Sequence, residues 1–496
     1  MSDFRDRIIN FTKSEKEFPL LAALAAGLYP LLFYYYSNYT LLNSWQQFTF
    51  FIIYFLLIPV LVFKVATFLV QRIEFFKPIK RYVLPLLNFG WSAFLMVIIT
   101  KGFNYKYIAF TVLVALILAV LFSKHFKKII VFQFLLAIMV AIPLCNYMLF
   151  GIQNTDVWTT QPDDIESVEL IKKPNIYFIQ PDGYANFTEI NKGYYKYDNS
   201  VFKQFLIDKG FKLYDNYRSN YYSTLSSNSS MFAMKHHYHN YPTYKIREVY
   251  NARDIIVGDN PVINILKNNN YTTHLLMHKS YMLINQPEIK YDYSNFHNEE
   301  LSFFSRGFQL SRDIFSDLKN IPKRIDSSAN FYFLEQLSPG HITNRKNPGD
   351  VADFQRERYL NKLKEANSFL RKVINYIETT DPNSLIIISA DHGGFVGMNT
   401  TLEARSKLTD RDLVYSIFTA QLAIKWPNNL APNYDDKLKT PVNLFRVLFS
   451  YLSENEKYLD NLQNDKSFIQ IESGAPFGVY EYINEEGEVT FNKITK

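Results

Sequence analysis

Three stretches of this chain place chemically capable side chains where a strand ends or a helix begins. The first runs Asn175-Ile-Tyr-Phe-Ile-Gln180 and ends in Pro181-Asp182-Gly183. The second, Ser219 to Met234, packs hydroxyls around Thr224 and Ser227 and leads into an apolar helical run. The third is Ser384-Leu-Ile-Ile-Ile-Ser-Ala-Asp391-His392-Gly393-Gly394. An acid and an imidazole at the end of a buried strand need a partner, because an unpaired buried charge costs several kcal/mol or more. A divalent cation held by Asp182, Asp391 and His392 answers that need. The ligand types suit Zn²⁺ or Mn²⁺, and Mg²⁺ is also compatible. A hydroxyl at a helix N-terminus meets unpaired N–H groups and the positive end of the dipole. Beside a metal it ionises more readily and becomes a nucleophile, and the same N–H groups hold phosphate oxygens. Taken alone, the hydroxyl cluster reads equally well as N-capping, and the Asp-His-Gly-Gly turn as a strand terminus. Gly393 and Gly394 are expected to let the backbone turn sharply there.

These residues need a scaffold that brings strand ends together. From Lys173 onward the pattern alternates. Strands are expected at 175–180, 271–277, 330–335, 385–389 and 419–426, and helices at 201–209, 261–268, 353–379 and 442–452. Such alternation predicts a doubly wound, mostly parallel α/β sheet, whose strand carboxyl ends lie on one side. The segments at 479–482 and 488–491 read as a terminal hairpin without chemistry.

The first 150 residues are different. Five apolar runs, near 18–36, 47–70, 82–100, 106–122 and 129–150, predict an N-terminal bundle of five transmembrane helices. Positive charge marks the cytoplasmic loops. Arg5, Arg7, Lys13 and Lys16 precede the first run; Arg72, Lys77, Lys80 and Arg81 follow the second; Lys124, Lys127 and Lys128 follow the fourth. Residues 37–46 carry no charge, and the loop after the third run has only Lys101 and Lys106. The N-terminus is therefore expected inside a cytoplasmic membrane, with everything after residue 150 outside. The first run has no small-residue cleavage site and reads as a retained anchor. Lys64, within the second run, is expected either to snorkel or to line a cavity. Residues 151–170 read as a polar linker, and 171–496 as the catalytic domain.

Residues 1–150 are net +9 and the whole chain is +6, leaving the remainder at −3. The basic balance thus follows membrane topology and gives no nucleic-acid surface. The single cysteine, Cys145, lies in the fifth run, so no disulfide frames the outer part.

Pro174-Asn-Ile-Tyr-Phe-Ile-Gln-Pro-Asp182, the Thr-x-x-Ser beginning at Thr224 and Ser389-Ala-Asp391-His392-Gly393 resemble, in order and spacing, the alkaline phosphatase and sulfatase superfamily. Five spans ahead of such a domain are similar to the layout of lipoteichoic acid synthases and phosphoethanolamine transferases. The resemblance implies that Asp182, Thr224, Asp391 and His392 hold one divalent metal, with Thr224 also the nucleophile. Thr224 is preferred to Ser223, Ser226 and Ser227 on the Thr-x-x-Ser spacing. His341, in Leu337-Ser-Pro-Gly-His341, stands where relatives place a histidine that contacts the substrate or a second metal. His236, His237 and His239 read as a polar surface cluster near the nucleophile. No Pro or Arg lies between Ser219 and Ala233, and the lone Cys is in a membrane run, so sulfatase chemistry is not expected. No His follows His392, which speaks for one metal rather than two.

The implied activity moves a phospho-group, phosphoethanolamine or glycerol phosphate, from a phospholipid donor to a cell-envelope glycan or glycolipid through a phospho-threonine. Two alternatives use the same residues differently. One is an anchored phosphodiesterase or phosphatase with water as acceptor, and the other a catalytically silent scaffold.

Overall fold

The computed structural model describes residues 2–38, 44–153, 156–238, 249, 251–321, 329–345, 349 and 351–495. It divides into two compact units: Met1–Gln153 with Ile284–Gln286 and Leu301–Arg306, and the remaining residues from Asn154 to Lys496.

In the first unit, four helices are long and apolar enough to cross a membrane: Pro19–Ser37, Trp45–Arg72, Lys80–Lys101 and Ser123–Leu149. The run expected at 106–122 is also a helix, Tyr105–Leu121, but it has only 17 residues. Asn104 starts it by accepting hydrogen bonds from the Lys106 and Tyr107 amides, and it stops at Phe122. At 1.5 Å per residue it reaches roughly 25 Å, against a hydrocarbon core of about 30 Å. Among the described residues, then, four helices are long and apolar enough to span and one apolar helix is shorter, where five spans are expected.

Small residues bring these helices close. Ala22, Ala23, Ala25 and Ala26 are fully buried with Phe63, Leu84 and Ile130. Asn88 and Gln133 exchange side-chain hydrogen bonds of 2.9 and 3.0 Å, and Asn88 also donates to the Ala22 carbonyl. Lys64 is exposed on its helix.

The second unit is built on a seven-stranded sheet. Its strands are β1 (Ile176–Pro181), β2 (Lys212–Leu213), β3 (Thr272–Met277), β4 (Tyr293–Ser294), β5 (Asn330–Gln336), β6 (Leu385–Ser389) and β7 (Leu422–Lys425). The order is β2-β7-β6-β1-β5-β3-β4. From β6 to β4 all neighbours are parallel, whereas β7 pairs antiparallel with both β6 and β2. Every residue of β1 and β6 is buried, as an apolar run between two helical layers requires. On one face Phe178, Phe333, Phe232 and Phe445 pack with ring centroids 5.2–6.5 Å apart, joining the sheet to helices Thr224–Ala233 and Pro441–Ser453. The helix Ala352–Thr380 buries the stripe Leu363, Leu370, Val373, Ile374 and Ile377.

Two expectations change here. Residues 156–170 do not hang free. Asp163 makes a salt bridge of 2.6 Å with buried Arg446, Gln161 donates to the Ala233 carbonyl, and Ile165 and Leu170 are buried. The C-terminal hairpin gains a third strand, because Ser467–Ile471 pairs with Gly478–Ile483, which pairs in turn with Val489–Lys493.

Candidate metal centre

β1 is central, with β5 and β6 beside it. The loops leaving these three parallel strands therefore emerge together at one edge, where such sheets gather functional groups. Asp182 follows β1, and Asp391 and His392 follow β6. One ligand atom from each lies within 4.8 Å of the others. The three residues are 5, 2 and 1 % exposed. His392 Nε2 is 3.4 Å from Asp182 Oδ1 and 3.4 Å from Asp391 Oδ2.

Thr224 is the first residue of the helix Thr224–Ala233, after an extended Ser223 that makes no side-chain cap. Its Oγ1 donates to Asp182 Oδ1 at 3.2 Å and lies 3.4 Å from His392 Nε2. The structure thus gathers Asp182, Thr224, Asp391 and His392 at one point. Ser226 and Ser227 are on the same helix, but Ser227 bonds to Ser219 and the Tyr221 carbonyl, and Ser223 donates to Ser226.

The donor set fits a divalent cation on three counts. His392 Nδ1 is 2.8 Å from the Gly393 carbonyl and must carry the proton there, which leaves the Nε2 lone pair facing two carboxylates. Asp391 Oδ2 is buried with no hydrogen-bond donor among the described residues. Burial, then the neighbouring Asp391, pushes the Asp182 carboxyl up to about 7, showing how poorly the cluster carries its own charge without a cation.

The loops are fixed by main-chain groups. Gly183 N–H donates to Asp391 Oδ1 at 3.1 Å, and Gly340 N–H donates to the Asp182 carbonyl at 2.8 Å. Gly183 has φ +68°, and a Cβ there would sit 2.2 Å from the Gly340 carbonyl oxygen. Gly394 is glycine for a different reason from the one expected. It takes no left-handed turn; a Cβ would fall 2.3 Å from the buried Tyr359 ring. The left-handed residue is the next one, Phe395, at φ 60°.

His341 reaches the same site. Its ring is 5.9 Å from the His392 ring, and Nδ1 donates to the Ile342 carbonyl at 2.6 Å, leaving Nε2 as an acceptor. Crowding by neighbouring atoms, then the adjacent His392, lowers its pKa, so the ring is neutral near pH 7. It lines an open cavity of about 710 Å³ together with Asp182, Thr224 and His392. His236 and His237 are not a surface cluster. Both are buried: His236 bonds to Tyr221 and the Asn464 carbonyl, and His237 stacks on Tyr221 and bonds to the Ser226 carbonyl. They pack against the helix Thr224–Ala233. His239 lies outside the described residues.

Sequence reasoning missed Glu335. It is fully buried at the end of β5, in register with Gln180 of β1. Both lie two residues beyond the paired Phe178 and Phe333 and so share their face of the sheet. Asn228, one turn before Phe232, is carried over that face by the helix Thr224–Ala233. Both Glu335 oxygens, both Gln180 polar atoms and Asn228 Nδ2 lack hydrogen-bond partners among the described residues. Burial, followed by Asp182 and Asp391, pushes the Glu335 carboxyl well above the usual range. The folded state thus retains a proton that the unfolded chain releases, and stability falls as pH rises above the ordinary glutamate range. Glu335→Gln is expected to raise the stability of the metal-free protein by about 1–3 kcal/mol at pH 7, and more at higher pH. Thermal melting with and without chelator checks this; an unchanged or lower midpoint would contradict it. The signal that could have found Glu335 is the one that exposed Asp182, an acid at the carboxyl end of an apolar strand.

No protein-family model and no curated protein matches the sequence. Among solved structures, the chain is similar to the C-terminal periplasmic domain of EptC from Escherichia coli in complex with Zn. Identity is 11%, TM-score 0.39, and the match covers 60% of this chain and 89% of that one. It is also similar to the integral membrane lipooligosaccharide phosphoethanolamine transferase EptA from Neisseria meningitidis, at 14% identity and TM-score 0.42, covering 88% and 98%. A third is the lipoteichoic acid synthase LtaP from Listeria monocytogenes, at 13% identity and TM-score 0.39, covering 66% and 91%.

Proposed function

We propose that this chain is a membrane-anchored, metal-dependent transferase that moves a phospho-group from a phospholipid to a hydroxyl of a cell-envelope glycan or glycolipid. The observation that carries it is the position of Thr224 Oγ1, at a helix N-terminus, within 3.4 Å of both Asp182 and His392 and open to the cavity. Asp182, Asp391, His392 and Thr224 would hold one divalent ion, Zn²⁺ or Mn²⁺ by ligand type with Mg²⁺ also compatible. When bound, it supplies positive charge that favours the threonine alkoxide and the charge developing on phosphate oxygens.

The rest is the work of the side chains. Asp182 accepts the Thr224 hydroxyl hydrogen bond and so aims the Oγ1 lone pairs. Oγ1 forms a bond to the lipid phosphorus as the bond to the diacylglycerol oxygen breaks. The proton lost by Thr224 ends on that departing oxygen, and His341, neutral with Nε2 as acceptor, is the group in the cavity suited to carry it. The N–H groups of the first helical turn face the phosphate oxygens. In the second half, an acceptor hydroxyl displaces Thr224 by the same route in reverse.

The apolar first unit keeps the enzyme in the bilayer that holds the donor, raising its local concentration. In this reading Tyr105–Leu121 also crosses the membrane. The N-terminus is then cytoplasmic, and 171–496 stands on the periplasmic or extracellular side of a bacterial inner membrane.

The test is the mass of the Thr224 peptide after brief incubation of the metal-loaded protein with head-group-labelled lipid. An adduct on Thr224 that passes to an added glycan is the expected result. Label passing only to water would show the phosphodiesterase, and no adduct at all would remove Thr224 as nucleophile.

A further inference from the structure

We propose that the cavity over Thr224 is an anion-selecting subsite, so that the group transferred is phosphoglycerol, a head group without positive charge, rather than phosphoethanolamine. This rests on the transferase reading above.

The charges lining the cavity are one-sided. Lys279, Arg358, Lys362 and Arg405 all line it, and among the described residues the only acid that lines it is Asp182, which belongs to the metal centre. The cations come from three separate places. Lys279 follows β3. Arg358 and Lys362 lie one turn apart on helix Ala352–Thr380, and Arg405 ends the short helix Thr401–Arg405. A solvated charge run on one element would not converge in this way. Lys362 is balanced by Glu365 at 2.6 Å, and Arg405 faces Glu472 at 3.6 Å. Lys279 and Arg358 have no ion-pair partner among the described residues. Two uncompensated cations therefore face the space where the head group must sit.

An ammonium entering that space meets like charge with no carboxylate to receive it, which works against the wrong ligand. Aromatic faces could substitute for a carboxylate, but four of those that line this cavity, Tyr281, Phe308, Tyr359 and Phe395, are engaged. The Arg253 guanidinium lies 5.0 Å from the Tyr281 ring, which also stacks on Phe308 at 5.3 Å. Phe395 packs against His341 and His392, and Tyr359 is buried with its hydroxyl bonded to the Gly183 carbonyl. A glycerol head group brings only hydroxyls, and its phosphate is drawn toward Lys279 and Arg358.

The experiment offers the full-length, metal-loaded protein in detergent micelles equal mole fractions of phosphatidylglycerol and phosphatidylethanolamine, each labelled in the head group. Adduct formation on Thr224 is followed by mass spectrometry. The expected result is a phosphoglycerol adduct forming at least about tenfold faster than a phosphoethanolamine one. Equal rates, or a faster phosphoethanolamine adduct, overturn the proposal and leave the transferase reading intact. No adduct from either lipid overturns both. The double substitution Lys279→Glu with Arg358→Glu is expected to reverse the preference. Arg358→Lys with Lys279→Arg, which keeps the charges, is expected to preserve it. Loss of both activities in equal measure in the reversed variant, with the conservative variant normal, would show that charge does not select the head group.

Discussion

Thr224→Ala is expected to lower head-group transfer by on the order of 10⁴-fold or more, the scale on which removing a covalent nucleophile acts. Its fold should survive. Among the described residues the Thr224 side chain bonds only to Asp182 and His392, and the helix it begins is held by Phe232 and by the Gln161 and His237 bonds to its carbonyls. Thr224→Ser retains the oxygen and should retain measurable transfer. Rates with labelled lipid and a glycan acceptor, beside circular dichroism of each variant, check both statements. Undiminished transfer by the alanine variant would remove the covalent step. Ser226 and Ser227 are not expected to stand in for the missing oxygen, since both are buried, Ser227 is bonded to Ser219 and the Tyr221 carbonyl, and Ser226 accepts from Ser223.

The second large effect is on the metal. Asp391→Asn should weaken divalent-metal affinity at least about a hundredfold and abolish transfer with it. The Oδ1 of an asparagine can still accept the Gly183 amide, so the loop stays in place, while the other position now offers N–H groups where a cation requires a lone pair. Metal analysis of purified protein, with and without chelator, measures the loss. Wild-type affinity at Asp391→Asn would mean the cluster is not the metal's site. Proton linkage follows from Asp182, whose carboxyl burial raises to about 7 in the metal-free protein. A raised acid is protonated in the folded state across a range where the unfolded chain has already released its proton. Metal-free stability should therefore fall as pH rises from about 4 to about 7 and then level off. A metal must displace that proton, so apparent affinity should climb about tenfold per pH unit below 7 and flatten above it. Calorimetric titrations in buffers of different ionisation enthalpy read the released proton directly.

Much of this was legible in the sequence because the relevant residues interrupt apolar strands. Asp182 and Asp391–His392 end runs that could only be buried, and parallel pairing brings such ends together. The strands at 175–180, 271–277, 330–335 and 385–389 occur within a residue or two of expectation. Other features depend on neighbours that no local pattern announces. Glu335 hid at the end of Phe331-Tyr-Phe-Leu, where an acid reads as the edge of a strand; only the register with Gln180 shows it to be interior. Gly394 was assigned to a turn, although its need is for space against Tyr359, more than thirty residues earlier in the chain. His236 and His237 lie among polar residues in sequence and are buried by the fold, through Tyr221 and Asn464. Tyr105–Leu121 shows the limit of counting apolar residues, because where a helix stops is set by its caps as well as its composition.

The amides of Gly183 and Gly340 sew together the turns that follow three adjacent strands, reaching across to Asp391 and Asp182. The mouth of the site is thereby shaped by hydrogen bonds from main-chain amides. Swapping one divalent ion for another should leave amide hydrogen exchange in these turns nearly unchanged, and ion choice in the cell should follow abundance and ligand softness rather than a remodelled cradle.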